Sequence, residues 1–154
     1  MRRLFLVHKL LRTILVVIME KDPIYLKTKS IHAAIEPTDG RRISVMSRHT
    51  LNDGKTPDPL ITSACFDVWM RELAPPQKLI GAYYKRGLSW TDFEQQYLTF
   101  LREAAFLHVN ALIQRALLQT VTLLCVEDTP TYCHRRLLAE ECKRREKELN
   151  IFIS

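Results

Sequence analysis

The heptapeptide "VTLLCVE", residues 121–127, constrains what this chain can fold into more than any other stretch. It shows no alternation of apolar and polar residues, so a strand built from it has no solvent face. Such a strand is buried on both sides, as in a parallel sheet covered by helices. The residues downstream agree. Thr129-Pro130 offers an N-cap and then a proline suited to the first helical position. "CHRRLLAEECKRREKEL" (133–149) reads as a helix, and "NIFIS" (150–154) closes as a strand. A strand–helix–strand ending is right-handed by rule and predicts a three-layer α/β/α fold with a mainly parallel central sheet.

The upstream chain supplies the other elements. "IYLKTKSI" (24–31) is rich in β-branched and aromatic residues and reads as a strand; "RISVMS" (42–47), after the turn "PTDG", reads as another. "NDGKTPDP" (52–59) is a loop. "FDVWMRELA" (66–74) reads as a short strand or helical turn leading to Pro75-Pro76, where a helix can start. "TDFE" (91–94) has the form of a capping box from Thr91 to Glu94, and Phe93, Tyr97, Leu98, Leu101 and Ala105 then recur at helical spacing. "NALIQRALLQ" (110–119) continues as a separate helix.

At 154 residues, with 47% apolar and 26% charged residues, the chain has the composition of one soluble domain. Its formal charge of +6 invites a nucleic-acid reading. Residues 1–19 carry Arg2, Arg3, Lys9 and Arg12 and no acid, so they supply +4 of it and leave about +2 to the rest. That opening stretch is interrupted by His8, Lys9 and Arg12 and is too short in its apolar part to span a bilayer. No membrane span is expected. It reads as a basic amphipathic surface segment, an element packed on the domain, or an extension over 1–18 ahead of a single domain at 19–154.

Four cysteines, at 65, 125, 133 and 142, are too few for a disulfide scaffold in a chain this size. Free thiols in a reducing cytoplasm are expected. Cys125, Cys133 and His134 lack any recognised zinc spacing, so neither a metal nor another cofactor is expected.

The loop after Val126 leaves the carboxyl end of a central strand and enters a helix, the edge at which open α/β sheets bind ligands. Helix N-termini there favour anions. On a wheel centred on Leu138, His134 falls about 40° to one side and Arg135 about 60° to the other, so both lean toward the core. Large polar groups in that position need a partner or a solvent-filled cleft. Arg135 either pairs with Glu127 or Asp128 as scaffolding or holds a ligand anion. His134 is either a satisfied core group or a proton-transfer residue. Cys133 is either a packed small hydrophobe or a thiol activated by the helix N-terminus and its basic neighbours.

"VTLLCVEDTPTYCHRRLLAE" resembles the C-terminal signature of the family known as domain of unknown function 488: a strand ending in Cys, then Glu, Pro, Cys-His-Arg and Leu-Ala. "TDGRRISVMSR", "FDVWMRELAPPQKLIGAYY" and "WTDFEQQYLTFL" are similar to its YeaO-like branch, and the likeness runs over about 24–153. It implies a compact, cytoplasmic α/β protein and no settled activity. Arg48 matches an arginine at the end of the family's strand, whereas Ser47 and His49-Thr50 depart from the branch's usual Asp-Arg-Leu-Trp.

The expectation is therefore an anion pocket of Arg48 and Arg135 as ligand-binding residues, with Cys133, His134 and Glu127 as candidate catalytic groups. Its ligand would be a phosphate-bearing small molecule or nucleotide. Cys133 is the candidate nucleophile, His134 the proton-transfer group and Glu127 the acid/base or orienter. Two other classes compete. One is a non-catalytic nucleic-acid or protein-binding module using "KRREK" (143–147) and the aromatics of "AYYKRGLSW" (82–90). The other is a thiol redox protein built on Cys133.

Overall fold

The structure, a computed structural model, describes residues 22–154. The expected extension over 1–18 lies outside the described residues. Five strands, β1 (Leu26–Ser30), β2 (Arg41–Ser44), β3 (Val68–Trp69), β4 (Val121–Cys125) and β5 (Ile151–Phe152), form one sheet in the order β3-β2-β4-β1-β5. Every neighbouring pair is parallel. With four α-helices among the described residues, α1 (Gln77–Arg86), α2 (Trp90–Arg102), α3 (Phe106–Leu118) and α4 (His134–Arg145), the architecture is that of the expected three-layer α/β/α class. No described helix is long and apolar enough to cross a membrane.

The centre of the sheet explains the unbroken apolar run. All five residues of β4 are buried. Val121 and Leu123 join the main core with Leu112, Leu137 and Leu138 from the helices. Leu124 belongs to a second, smaller cluster with Ile31, Met46 and Ile61. Burying both Leu123 and Leu124 fully is worth roughly 2 kcal/mol each, and neither face can be made polar without losing its share.

Helix starts differ from the local reading in three places. Pro76 is the N-cap of α1, one place ahead of its first turn. Ser89, in extended backbone, caps α2 by accepting from the Asp92 N–H at 3.1 Å. Thr91 therefore already lies inside the helix and cannot act as its cap. Cys133, not Thr129, is the N-cap of α4. Arg136 explains this displacement: it donates to the carbonyls of Pro130 and Thr131 and holds residues 129–132 as a turn ahead of the helix. The same helix ends at Arg145 rather than Leu149, because Lys143 reaches forward to the carbonyls of Lys147 and Leu149.

Parallel pairing fixes where the site forms. Ser30 registers with Cys125 and Ser44 with Leu124, so the carboxyl ends of β1, β2 and β4 lie along one edge. The chain leaving β2 toward Arg48 and the chain leaving β4 toward Glu127 therefore emerge side by side, despite their distance in sequence. Between β2 and β3 the chain is irregular, closed by one antiparallel bridge between Thr50 and Pro57.

Candidate functional site

At that carboxyl edge lies a cleft of about 1040 Å³. Arg48, Thr50 and Asp58 line it from the segment after β2, Tyr83, Tyr84 and Lys85 from α1, and Trp90 and Phe93 from α2. Cys125, Glu127, Tyr132 and His134 line it from the end of β4 and the start of α4.

Glu127 is the hub of the floor. Its Oε1 accepts from the Tyr84 hydroxyl at 2.6 Å, and its Oε2 accepts from the thiols of Cys125 at 2.9 Å and Cys133 at 3.3 Å. Burial opposes ionisation of this carboxyl. The donations from Cys125 and Tyr84 outweigh it and hold Glu127 below the usual carboxylate range. Although Tyr84 as a residue is 62% exposed, its hydroxyl end is desolvated, and that together with Glu127 pushes it above the ordinary phenol range.

His134 has its tautomer set by its partner. A carbonyl oxygen only accepts, so Nε2–H donates to Val45 O at 2.9 Å, and the tautomer this selects carries its lone pair on Nδ1. Nδ1 faces the Cys125 sulfur at 3.7 Å. The ring also makes a T-shaped contact with the buried Tyr97, whose hydroxyl donates to Leu73 O at 2.6 Å.

Arg48 is held in place by its neighbour. His49 stacks on Trp69 at 4.0 Å between centroids, packs against Phe66 at 4.7 Å, and shares a 2.7 Å hydrogen bond with Ser44 Oγ. Trp69 in turn donates from its indole to Met46 O at 2.7 Å. The loop is thus pinned to the sheet on both sides of Ser47. Gly54, at φ +71°, gives the Arg48 guanidinium room: a Cβ there would stand 2.7 Å from Nη1. No acidic side chain forms an ion pair with Arg48 among the described residues.

The model of the family described as the active DUF488-N3 subclade matches residues 26–146, well over half of the chain. The chain belongs to the DUF488 family. No curated protein and no solved structure matches it.

Within this DUF488 chain the expected residues separate into two layers. Arg48, Glu127 and His134 line the cleft together. Arg135 does not. It is fully buried, with Nη1 donating to Glu127 O at 2.7 Å and to Cys133 Sγ at 3.3 Å, and Nη2 donating to Ser154 O at 3.2 Å. The expected meeting of Arg48 and Arg135 across one cleft is therefore absent: α4 turns the second guanidinium inward, beneath the loop. Cys133 is 1% exposed and also stands outside the lining. The neighbouring Cys125 sulfur and burial push the thiol up, opposite to the lowered value expected for a thiol activated at a helix start.

Two contributors carry no local signal of their role. Tyr84 stands in an aromatic run, and nothing near it in sequence indicates that its hydroxyl meets Glu127. His49 departs from the branch pattern, and its stacking partner Trp69 lies on β3. All four cysteines are free thiols.

Proposed function

We propose that this DUF488 protein binds a phosphate-bearing small molecule of nucleotide size in the cleft, with Arg48 as its main anion ligand and the reacting end over Glu127 and His134. One observation carries this reading: a single cleft pairs an arginine that forms no ion pair among the described residues, its charge acting only more distantly on Asp53 of the same lining, with aromatic rings and a polar floor. Guanidinium suits phosphate bidentately. Lys85 adds a second cation to the lining, and the N-terminus of α4 adds a partial positive charge at the floor. Tyr83, Trp90 and Tyr132 form a run of edge-on rings, with centroids 5.7 and 5.5 Å apart, against which a base can stack. The cleft volume is at the upper end of the ~300–1,000 Å³ usual for small-ligand sites.

Arg135 and Cys133 support the floor in this reading instead of touching the ligand. Placement in the YeaO-like branch, on Asp39-Gly40 and Trp69 to Pro75, and in the cytoplasm, on four free thiols, belongs to the same proposal. The nucleic-acid reading loses its basic run: Arg144 and Arg145 bind Glu141, and Lys143 binds two carbonyls.

Titration calorimetry with adenosine monophosphate and with inorganic phosphate tests it. Wild type binds at least the nucleotide, and Arg48→Ala weakens that binding at least tenfold, about 1.4 kcal/mol, without lowering thermal stability. Equal affinity in Arg48→Ala, or no heat from wild type with either probe, overturns the proposal.

A further inference from the structure

We propose that Cys125, Cys133 and His134 hold one thiophilic divalent metal ion, zinc in the first instance, through the two sulfurs and imidazole Nδ1. The site stands on different atoms from the Arg48 anion grip and holds whether or not that grip exists.

Geometry is the first support. The three donor atoms all lie within 4.8 Å of one another. With metal–sulfur and metal–nitrogen bonds of about 2.3 and 2.0 Å, a tetrahedral site needs donor–donor edges of roughly 3.6 Å. The Cys125 Sγ to His134 Nδ1 edge is already 3.7 Å, so closure onto an ion takes side-chain adjustments of about an ångström or less on the remaining edges.

The donors are also aimed and rigid. Cys125 ends a buried strand paired on both sides, Cys133 is the N-cap of α4, and His134 is its first residue. The hydrogen bond from Nε2–H to Val45 O orients the ring and presents the Nδ1 lone pair to the sulfurs. An imidazole held by a carbonyl on its far nitrogen is the usual outer-layer arrangement of a metal-binding histidine.

Charge supplies an independent support. Arg135 is 0% exposed, and no aspartate or glutamate side chain pairs with it among the described residues. Its Nε has no hydrogen-bond partner among the described residues, and its Nη1 contacts the Cys133 sulfur. Its other partners are the main-chain oxygens of Glu127 and Ser154, and a metal-bound thiolate at Cys133 would set a negative charge directly against Nη1.

The donor set selects the ion. Two sulfurs and one imidazole disfavour magnesium and calcium and suit zinc. Glu127 Oε2, 2.9 and 3.3 Å from the two sulfurs, stands at the fourth position, on the side where the cleft opens. Binding replaces two S–H bonds with two metal–sulfur bonds, releases two protons to solvent, and changes no oxidation state.

The test uses the full chain, reduced and stripped with a chelator, then titrated with cobalt and with zinc. We expect one cobalt per chain, a near-ultraviolet thiolate-to-cobalt band, release of two protons, and displacement by zinc. Cys133→Ser and His134→Ala each weaken cobalt binding by on the order of a hundredfold or more, while Cys65→Ser leaves it unchanged. A second measurement avoids the folding of variants: zinc should protect Cys125 and Cys133 of wild type from alkylation, reversibly with chelator, as located by peptide mass. Absence of cobalt binding in folded wild type overturns the site. So does labelling of Cys125 and Cys133 unaffected by zinc, or a Cys125–Cys133 disulfide formed by protein that ignores the metal. Metal binding without nucleotide binding would leave this site standing and remove only the anion proposal.

Discussion

Arg135 Nη1 lies 2.7 Å from the backbone carbonyl oxygen of Glu127, and this hydrogen bond, made from a fully buried side chain, anchors the loop that carries the floor of the cleft. The guanidinium holds Glu127 by its main chain, while Tyr84 and the two thiols orient the carboxylate itself. Position and direction of Glu127 thus have separate causes.

Arg135→Met keeps much of the apolar stem and removes every donor. It should destabilise the protein by about 3 kcal/mol, because buried carbonyls lose their partners. For a chain of this size that lowers Tm by roughly 6–12 °C in thermal unfolding followed by circular dichroism. A Tm matching wild type would show that Arg135 anchors nothing.

His49→Ala removes the stack on Trp69, the packing on Phe66 and the bond to Ser44, three of the contacts that seat the Arg48 loop. The expected cost is about 1 kcal/mol, with faster amide exchange confined to residues 47–58. Exchange unchanged across that segment would mean the loop is held by something else.

Glu141 is 2% exposed and accepts from Arg102, Arg144 and Arg145. Burial opposes its ionisation, but the three guanidinium groups prevail and depress its pKa to about 2. A folded-state value below the unfolded 4.5 gives stability that is complete above the unfolded value and lost as pH falls from there toward 2. Glu141→Gln should cost roughly 3 kcal/mol at neutral pH. In urea unfolding, the gap to wild type should narrow between about pH 5 and about 2. A gap independent of pH would assign the loss to packing.

Gly40 has φ +62° and ψ −137°, a region closed to side chains, and a Cβ there would overlap the Thr120 carbonyl. Arg41 N–H donates to that same carbonyl at 2.8 Å as β2 begins. Gly40→Ala should therefore destabilise by more than about 2 kcal/mol, read as a shifted urea midpoint. A shift below about 0.5 kcal/mol would show that the turn relaxes freely.

Much of this protein was legible in its own residues. The run at 121–125 announced a strand with two covered faces because hydropathy follows burial, and each residue there is buried. Phe93, Tyr97 and Leu101 announced the inward face of α2 because their spacing matches the helical repeat, and all three are in the core. The carboxyl edge was legible as the place for a site, since parallel strands connected by helices leave their loops there.

The partners at that edge were decided only by the tertiary structure. Local pattern reports which way a side chain points relative to its chain neighbours, whereas a site depends on what another segment brings to meet it. Arg135 leans inward as its helical position implies, but the carbonyls of Glu127 and Ser154 that receive it come from a loop and a strand end. The ligand spacing from Cys125 to Cys133 matches no zinc pattern, because such patterns describe a loop wrapped on an ion. Here a strand end and a helix start, set side by side by sheet order, bring the same atoms together.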